Sequence, residues 1–128
     1  LEPKIDKIIE PKTIMTIQQF KAKLKTTPSA ITFAETMQVI EDNYNFTPTA
    51  FKNGNFKNKV GENSGSCKLF SFAILQKLTK AETLLCFGEN YRTVLNDEKG
   101  TSHYNIRNFM KTGFKGLSFE NEALSIKK

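Results

Sequence analysis

Cys67, His103 and Asn105 follow one another along the chain. Those are the residue types that a thiol nucleophile requires, with an imidazole to take its proton and an amide to orient the imidazole. Gly65-Ser66-Cys67 precedes an apolar run, so the thiol falls at or just inside a predicted helix start. Free N–H groups and the helix dipole there favour an anion and would lower the thiol's pKa. The competing reading is plain packing: a free cysteine behaves as a small buried hydrophobe, and a lone histidine at a helix start serves as a polar cap. The residues favour packing for Cys67 and capping for His103.

A second set comprises Ser66, Lys68, Tyr91, Arg92, Arg107 and Asn108. Only Arg92 and Arg107 among the 19 Lys and Arg residues are arginine. Guanidinium forks suit either an anionic ligand or a structural carboxylate, with Glu35 or Glu41 the expected acid. Cys86, between Leu84-Leu85 and Phe87, reads as core. Phe46, Phe51 and Phe56 among lysines could stack single-stranded bases, but core packing is the simpler account. Two cysteines and one histidine are too few for a structural zinc site or a disulfide framework. Neither a phosphate loop, a dinucleotide fingerprint nor a calcium loop is visible. No metal and no cofactor are expected.

The 128 residues carry a formal charge of +6, with 38% hydrophobic and 25% charged side chains and eleven Phe. That length supports one domain with its own core and leaves no room for a second catalytic one. The lysine-dominated excess reads as a solvated surface more than as nucleic-acid recognition. No apolar run reaches the roughly 20 residues of a membrane span, and no signal-like leader is visible. Low cysteine use points to a reducing, cytoplasmic compartment.

Residues 1–14, with Pro3 and Pro11 and no sustained period, read as a flexible extension or expression remnant, and 15–128 as the domain. Thr16-x-x-Gln19 is a capping box that opens a first helix through Ile17, Phe20 and Leu24. Thr27-Pro28 is expected to start a second, with Phe33, Met37, Ile40 and Tyr44 as its buried stripe, ending near Asn43. The asparagine-rich stretch from Asn45 to Gly65 favours turns, with a hairpin between Thr49 and Phe56 centred on Asn53-Gly54. Ser66 is expected to cap a central third helix through Leu69, Phe70, Ala73, Ile74 and Leu78. Thr79-x-x-Glu82, a second capping box, opens a fourth helix running on to Leu95. Ile106, Phe109 and Met110 mark a fifth, ended by Gly113. Leu117, Phe119, Leu124 and Ile126 suggest a terminal hairpin or strand. The fold class is thus α+β: mainly α, about five helices, with a small β element.

Several runs resemble the HopJ type III effector family. They are Asn43-Tyr44-Asn45-Phe46-Thr47-Pro48-Thr49-Ala50-Phe51, then Gly65-Ser66-Cys67-Lys68 with Phe70, then Cys86-Phe87-Gly88 with Tyr91-Arg92. His103 with Asn105-Ile106-Arg107-Asn108-Phe109-Met110 and Gly113-Phe114-x-Gly116 follow in the family's order. The likeness spans roughly Met15 to Leu124. Two departures are Phe114, where the family is expected to carry tryptophan, and Lys57 with Lys59, in a segment expected to be more acidic. The resemblance implies a bacterial protein and, from the family's name alone, type III secretion. It carries over no enzymatic activity. The Gly65-Ser66-Cys67 start also resembles that of papain-like proteases, but those place histidine well over a hundred residues after the cysteine, far beyond the spacing here.

The leading expectation is a monomeric, non-enzymatic binding or interaction domain. Its pocket would draw on the Gly65-Ser66-Cys67 helix start and the His103–Asn108 segment, and its partner would be a protein or a small anionic ligand. A small cysteine-dependent hydrolase or acyl transferase is the alternative, and a nucleic-acid-associated protein a weaker one.

Overall fold

The first helix forms where its capping box sits. Thr16 accepts from the Gln19 N–H at 3.0 Å and Gln19 returns the bond to the Thr16 N–H at 2.9 Å, satisfying two N–H groups that the first turn leaves open. The structure, a computed structural model, describes residues 15–127, so the proposed 1–14 extension lies outside the described residues. Helix α1 spans Ile17–Thr26 and buries Phe20 and Leu24. Pro28 opens only a three-residue 3-10 turn, Pro28–Ala30, and does not start the second helix. That helix, α2 at Phe33–Asn43, starts after Thr32, whose side chain accepts from the Glu35 N–H. Its most buried face is Thr36, Val39 and Ile40, while Phe33 and Met37 of the expected stripe are half-buried.

Strand β1, Tyr44–Phe46, leads to a hairpin of β2, Phe51–Asn53, and β3, Phe56–Asn58. The turn centres on Gly54-Asn55, one residue later than expected, because Asn53 pairs with Phe56 and Gly54 takes the positive φ of +64° that a two-residue turn needs and glycine tolerates. Next comes α3, Ser64–Leu75, followed by α4, Lys80–Leu85, and α5, Glu89–Leu95. Helix α6 is Tyr104–Thr112, and a 3-10 turn, Gly113–Gly116, leads to β4, Leu117–Phe119, and β5, Leu124–Ile126. The tail strands do not pair with each other. β4 runs antiparallel to β2, completing a β3-β2-β4 sheet, and β5 runs antiparallel to β1. Both strands of the C-terminal tail are thereby tied to the middle of the chain.

Helix α3 is apolar nearly all round and forms the centre. Phe70 meets Phe51, Phe87 and Phe109, while Phe72 meets Phe20 and Tyr44, with ring centroids 4.9–6.3 Å apart. The expected fourth helix is two helices, giving six in all among the described residues, because Gly88 breaks it with φ +59°. A Cβ there would lie 2.6 Å from the Phe33 nitrogen and 2.9 Å from the Ile31 oxygen, both backbone atoms that cannot rotate aside. The break seats the α4–α5 corner on the start of α2. Thr36 Oγ1 donates to the Cys86 carbonyl at 2.8 Å, and the Glu89 carboxylate accepts the Phe33 N–H at 3.0 Å.

Buried asparagines fasten the hairpin to α6. Asn53 Nδ2 donates to both the backbone and side-chain oxygens of Asn105, at 2.8 and 2.9 Å. Asn105 Nδ2 donates to Asn58 Oδ1 at 2.9 Å, and Asn63 Nδ2 reaches the same oxygen at 2.6 Å. Asn108 Nδ2 donates to the Asn53 carbonyl at 2.6 Å. Replacing Asn105 by Ala takes the Oδ1 acceptor from the Asn53 and Asn58 amide groups and one donor from Asn58 Oδ1, leaving Asn53 only its bond to the backbone carbonyl of residue 105. Asn105→Ala is therefore expected to lower unfolding stability by about 3 kcal/mol, measured by urea titration. The exposed Asn45→Ala should change it by less than about 0.5 kcal/mol. Equal effects at both positions would show that the network contributes nothing special.

Candidate functional site

Helix α3 begins three residues earlier than the sequence suggests, with Asn63 and not Ser66 before its first turn. Its first flanking residue is Asn63, in the left-handed region at φ 50°, where asparagine is among the few non-glycine residues tolerated. Ser66 is thus inside the first turn and caps nothing. Cys67 is deeper still. Its own N–H already donates to the Asn63 carbonyl at 3.0 Å, so no open helix end faces the thiol. The side chain is 2% exposed, and its sulfur lies 3.9 Å from the Thr49 carbonyl, to which the thiol donates. Burial pushes the Cys67 pKa up, outweighing the nearby Lys68 charge. That direction is the reverse of the one expected from a helix-start cysteine.

His103 precedes α6 in the same left-handed conformation, φ 54°, and its exposed ring makes no cap bond. It is a cap by backbone position only, contrary to the expected ring cap. Asn105 has its amide committed to Asn53 and Asn58, which leaves nothing to orient an imidazole. The Cys67–His103–Asn105 arrangement of a thiol enzyme is not assembled. His103 and Asn105 line one cleft and Cys67 does not.

That cleft, about 260 Å³, lies between the starts of α3 and α6. It is bordered by Gly65 and Ser66 from one helix, His103, Tyr104 and Asn105 from the other, and Phe33, Phe87 and Asn90 from the α2/α4–α5 corner. The first N–H bonds within these helices come from Cys67 and Ile106, so the N–H groups of Gly65, Ser66, Tyr104 and Asn105 precede them. The side chains of Ser66, Asn90 and His103 make no hydrogen bond among the described residues. Two positive helix ends and three idle polar side chains meet there, a setting that favours an anion. Asn63, Asn90 and Tyr104 were not singled out from sequence. Only Asn63 of these falls in the asparagine-rich stretch, whose composition signals turns and not a cleft wall.

Arg107 pairs with neither expected acid. Lys23 holds Glu35 at 2.7 Å and Lys68 lies 3.8 Å from Glu41. Arg107 instead staples the loop before α6: its Nε donates to the Ser102 carbonyl, Nη1 to the carbonyls of Asp97 at 2.8 Å and Glu98 at 3.3 Å, and Nη2 lies 3.8 Å from the Asp97 carboxylate. Arg92 donates to the Ile31 carbonyl at 3.4 Å, Tyr91 packs half-buried on the core, and Asn108 belongs to the asparagine network. Lys68 lies over the Phe46 ring at 4.9 Å. Of the second set, then, only Ser66 borders this cleft. The three phenylalanines form no common platform, since Phe51 stacks on Phe119, Phe56 meets Tyr104 and Phe46 lies under Lys68. Among the described residues no three His, Cys, Asp or Glu side chains group to hold a metal, and no helix is long and apolar enough to cross a membrane.

The HopJ type III effector protein family matches residues 17–124. The chain belongs to this family. It is also similar to the crystal structure of the unknown-function protein VPA0580, with 52% identity and a TM-score of 0.87, over 90% of this chain and 97% of the other. No curated protein matches it.

Cys86, the other free thiol, is fully buried at the end of α4, and its pKa is pushed from an ordinary 9.0 to about 12, by burial first and the Glu82 charge second. Below pH 9 both folded and unfolded states keep the proton and the thiol gives no pH dependence. Above it the unfolded chain loses the proton first, so stability falls as pH rises from 9 towards 12, by at most about 1.4 kcal/mol per pH unit. Denaturant titrations at pH 8, 9 and 10 should show this fall in the parent protein and a shallower one in Cys86→Ala. Parallel slopes would mean that Cys86 ionises equally in both states.

Proposed function

We propose that this HopJ-family chain is a non-enzymatic binding domain, taking a small anionic ligand in the cleft between the starts of α3 and α6. The observation that carries the reading is the convergence of Ser66, Asn90 and His103, all without hydrogen bonds among the described residues, on a cleft flanked by two helix N-termini. Polar side chains left idle in a concave site are groups that a ligand would satisfy. Left-handed backbone at both Asn63 and His103 holds the two helix starts in this relation, as strained residues often do at ligand sites.

The thiol-enzyme alternative draws no support from the position of Cys67: its sulfur is buried and its proton is retained more tightly than usual. A nucleic-acid role would rest on lysines alone. Lys52 and Lys57 stand opposite each other on β2 and β3, exposed, with no arginine beside them to read a base edge. A cytoplasmic setting suits two unpaired, buried thiols, and secretion as an effector is what the family's description suggests.

Titration of ¹⁵N-labelled protein with inorganic phosphate and pyrophosphate tests the proposal. Saturable shifts are expected at the amides of Gly65, Ser66, Tyr104 and Asn105, and Ser66→Leu, which crowds the cleft, should weaken binding at least tenfold. Shifts confined to surface lysines, or turnover of an electrophilic substrate lost in Cys67→Ala, would overturn it.

A further inference from the structure

A second cleft lies on the far side of Tyr104, between α5, the loop at 97–102 and α6. Its volume is about 430 Å³, within the range of small-molecule sites. Val94 and Leu95 from α5 and Tyr104 and Met110 from α6 supply apolar wall. Leu95 and Tyr104 are 49% and 46% exposed, two of the six large hydrophobic side chains left exposed among the described residues. That both border one concavity separates them from scattered surface apolar residues, which need no explanation.

The charged groups of the cleft are unequally engaged. Arg107 and Lys111 stand one helical turn apart on the same face of α6 and both line it, with Glu98 the one acid present. Lys111 makes no ion pair among the described residues. Arg107 is spent on the loop, yet its Nη2 is buried without a hydrogen-bond acceptor and has only the Asp97 carboxylate, 3.8 Å away, to offset it. With Asp97 beside Arg107 and Glu98 in the wall, acids and bases cancel in number, and what the cleft offers an anion is the Lys111 ammonium, without an ion pair among the described residues and beside apolar surface, where low polarity strengthens the attraction.

We propose that this cleft binds an amphipathic carboxylic acid, a medium-chain or aryl carboxylate. Its apolar body would lie on Leu95, Tyr104 and Met110, and its carboxylate would meet Lys111 at the mouth. The site is distinct from the polar cleft of the preceding section and stands or falls independently of it. Arg107 is a positioning residue here: it holds the loop that forms one wall, and Lys111 makes the contact.

The probes are octanoate, 1-octanol and octylamine, equal in chain length and differing in head-group charge, titrated into ¹⁵N-labelled full-length protein. Octanoate is expected to shift the amides of Leu95, Thr101, Met110 and Lys111. It should bind at least fivefold more tightly than octanol, with octylamine weaker still. Lys111→Gln, an exposed change that leaves the fold's spectrum intact, should erase the preference for octanoate over octanol while octanol binding persists. Leu95→Gln should weaken both. Octylamine binding as tightly as octanoate would overturn the proposal. So would shifts centred elsewhere, such as Ile74 and Leu75 on α3, an unchanged preference in Lys111→Gln, or burial of the cleft in a dimer detected by sedimentation. Phosphate shifts at Gly65 and Ser66 report on the other cleft, so failure of one reading is read separately from failure of the other.

Discussion

An amide side chain buried without partners destabilises a fold by about 1–3 kcal/mol, so a group of buried asparagines can exist only if its members satisfy one another. Asn53, Asn58, Asn105 and Asn108 do this between the β2–β3 hairpin and the first turns of α6, and the exposed Asn63 joins them from the start of α3. Much else depends on this lock. It fixes where α6 begins relative to α3, and hence the distance between the two helix starts that flank the polar cleft. It also sets the hairpin so that β2 can receive β4 on its free side. The lock is not complete, since Asn53 Oδ1 is buried without an acceptor's usual donor.

The second fixed point is the corner at Gly88. There the backbone of one helix start touches that of a helix break, and only a residue without Cβ permits the approach. Phe87 and Asn90, on either side of the glycine, become part of the polar cleft's wall. Glu89 joins the two segments by accepting the Phe33 N–H, and this bond, ahead of other causes, holds its carboxyl below the usual range. The cleft is therefore framed by one polar lock and one steric contact, and its three idle side chains take part in neither.

Signals carried within a few residues are legible in the sequence, and those carried across the fold are not. Both capping boxes, Thr16–Gln19 and Thr79–Glu82, are where the sequence places them, because each bond spans three residues. The central position of α3 follows from its apolar circumference. The break at Gly88 was hidden, since the apolar period runs on through Leu84, Leu85, Tyr91 and Val94 and the cause is a contact with Phe33, far away in the chain. Pairing of the tail with β1 and β2 was hidden for the same reason: alternation marks a strand and does not name its partner. Asparagines in such a stretch signal turns, and their burial is not legible because an amide suits a turn and a buried network equally well. For the site, Gly65, Ser66 and the His103–Asn105 segment were legible as one region. The burial of Cys67 agrees with the packing reading that its residue type favours, and only the start of α3 at Ser64, which puts the thiol inside the helix, was not legible.

Asn53-Gly54 is also, in an unstructured chain, the dipeptide most prone to cyclise, as the glycine nitrogen attacks the asparagine amide carbon, expels ammonia and leaves a succinimide that hydrolyses to aspartate or isoaspartate. In the folded protein the Gly54 N–H is committed to the Gly116 carbonyl at 2.9 Å, and the Asn53 amide is held by Asn105. Neither reacting group is free to approach the other. The same bonds that seat the hairpin thus protect its covalent structure, and each excursion to the unfolded state exposes the chain to chemical ageing that would put a carboxylate at the centre of the buried amides.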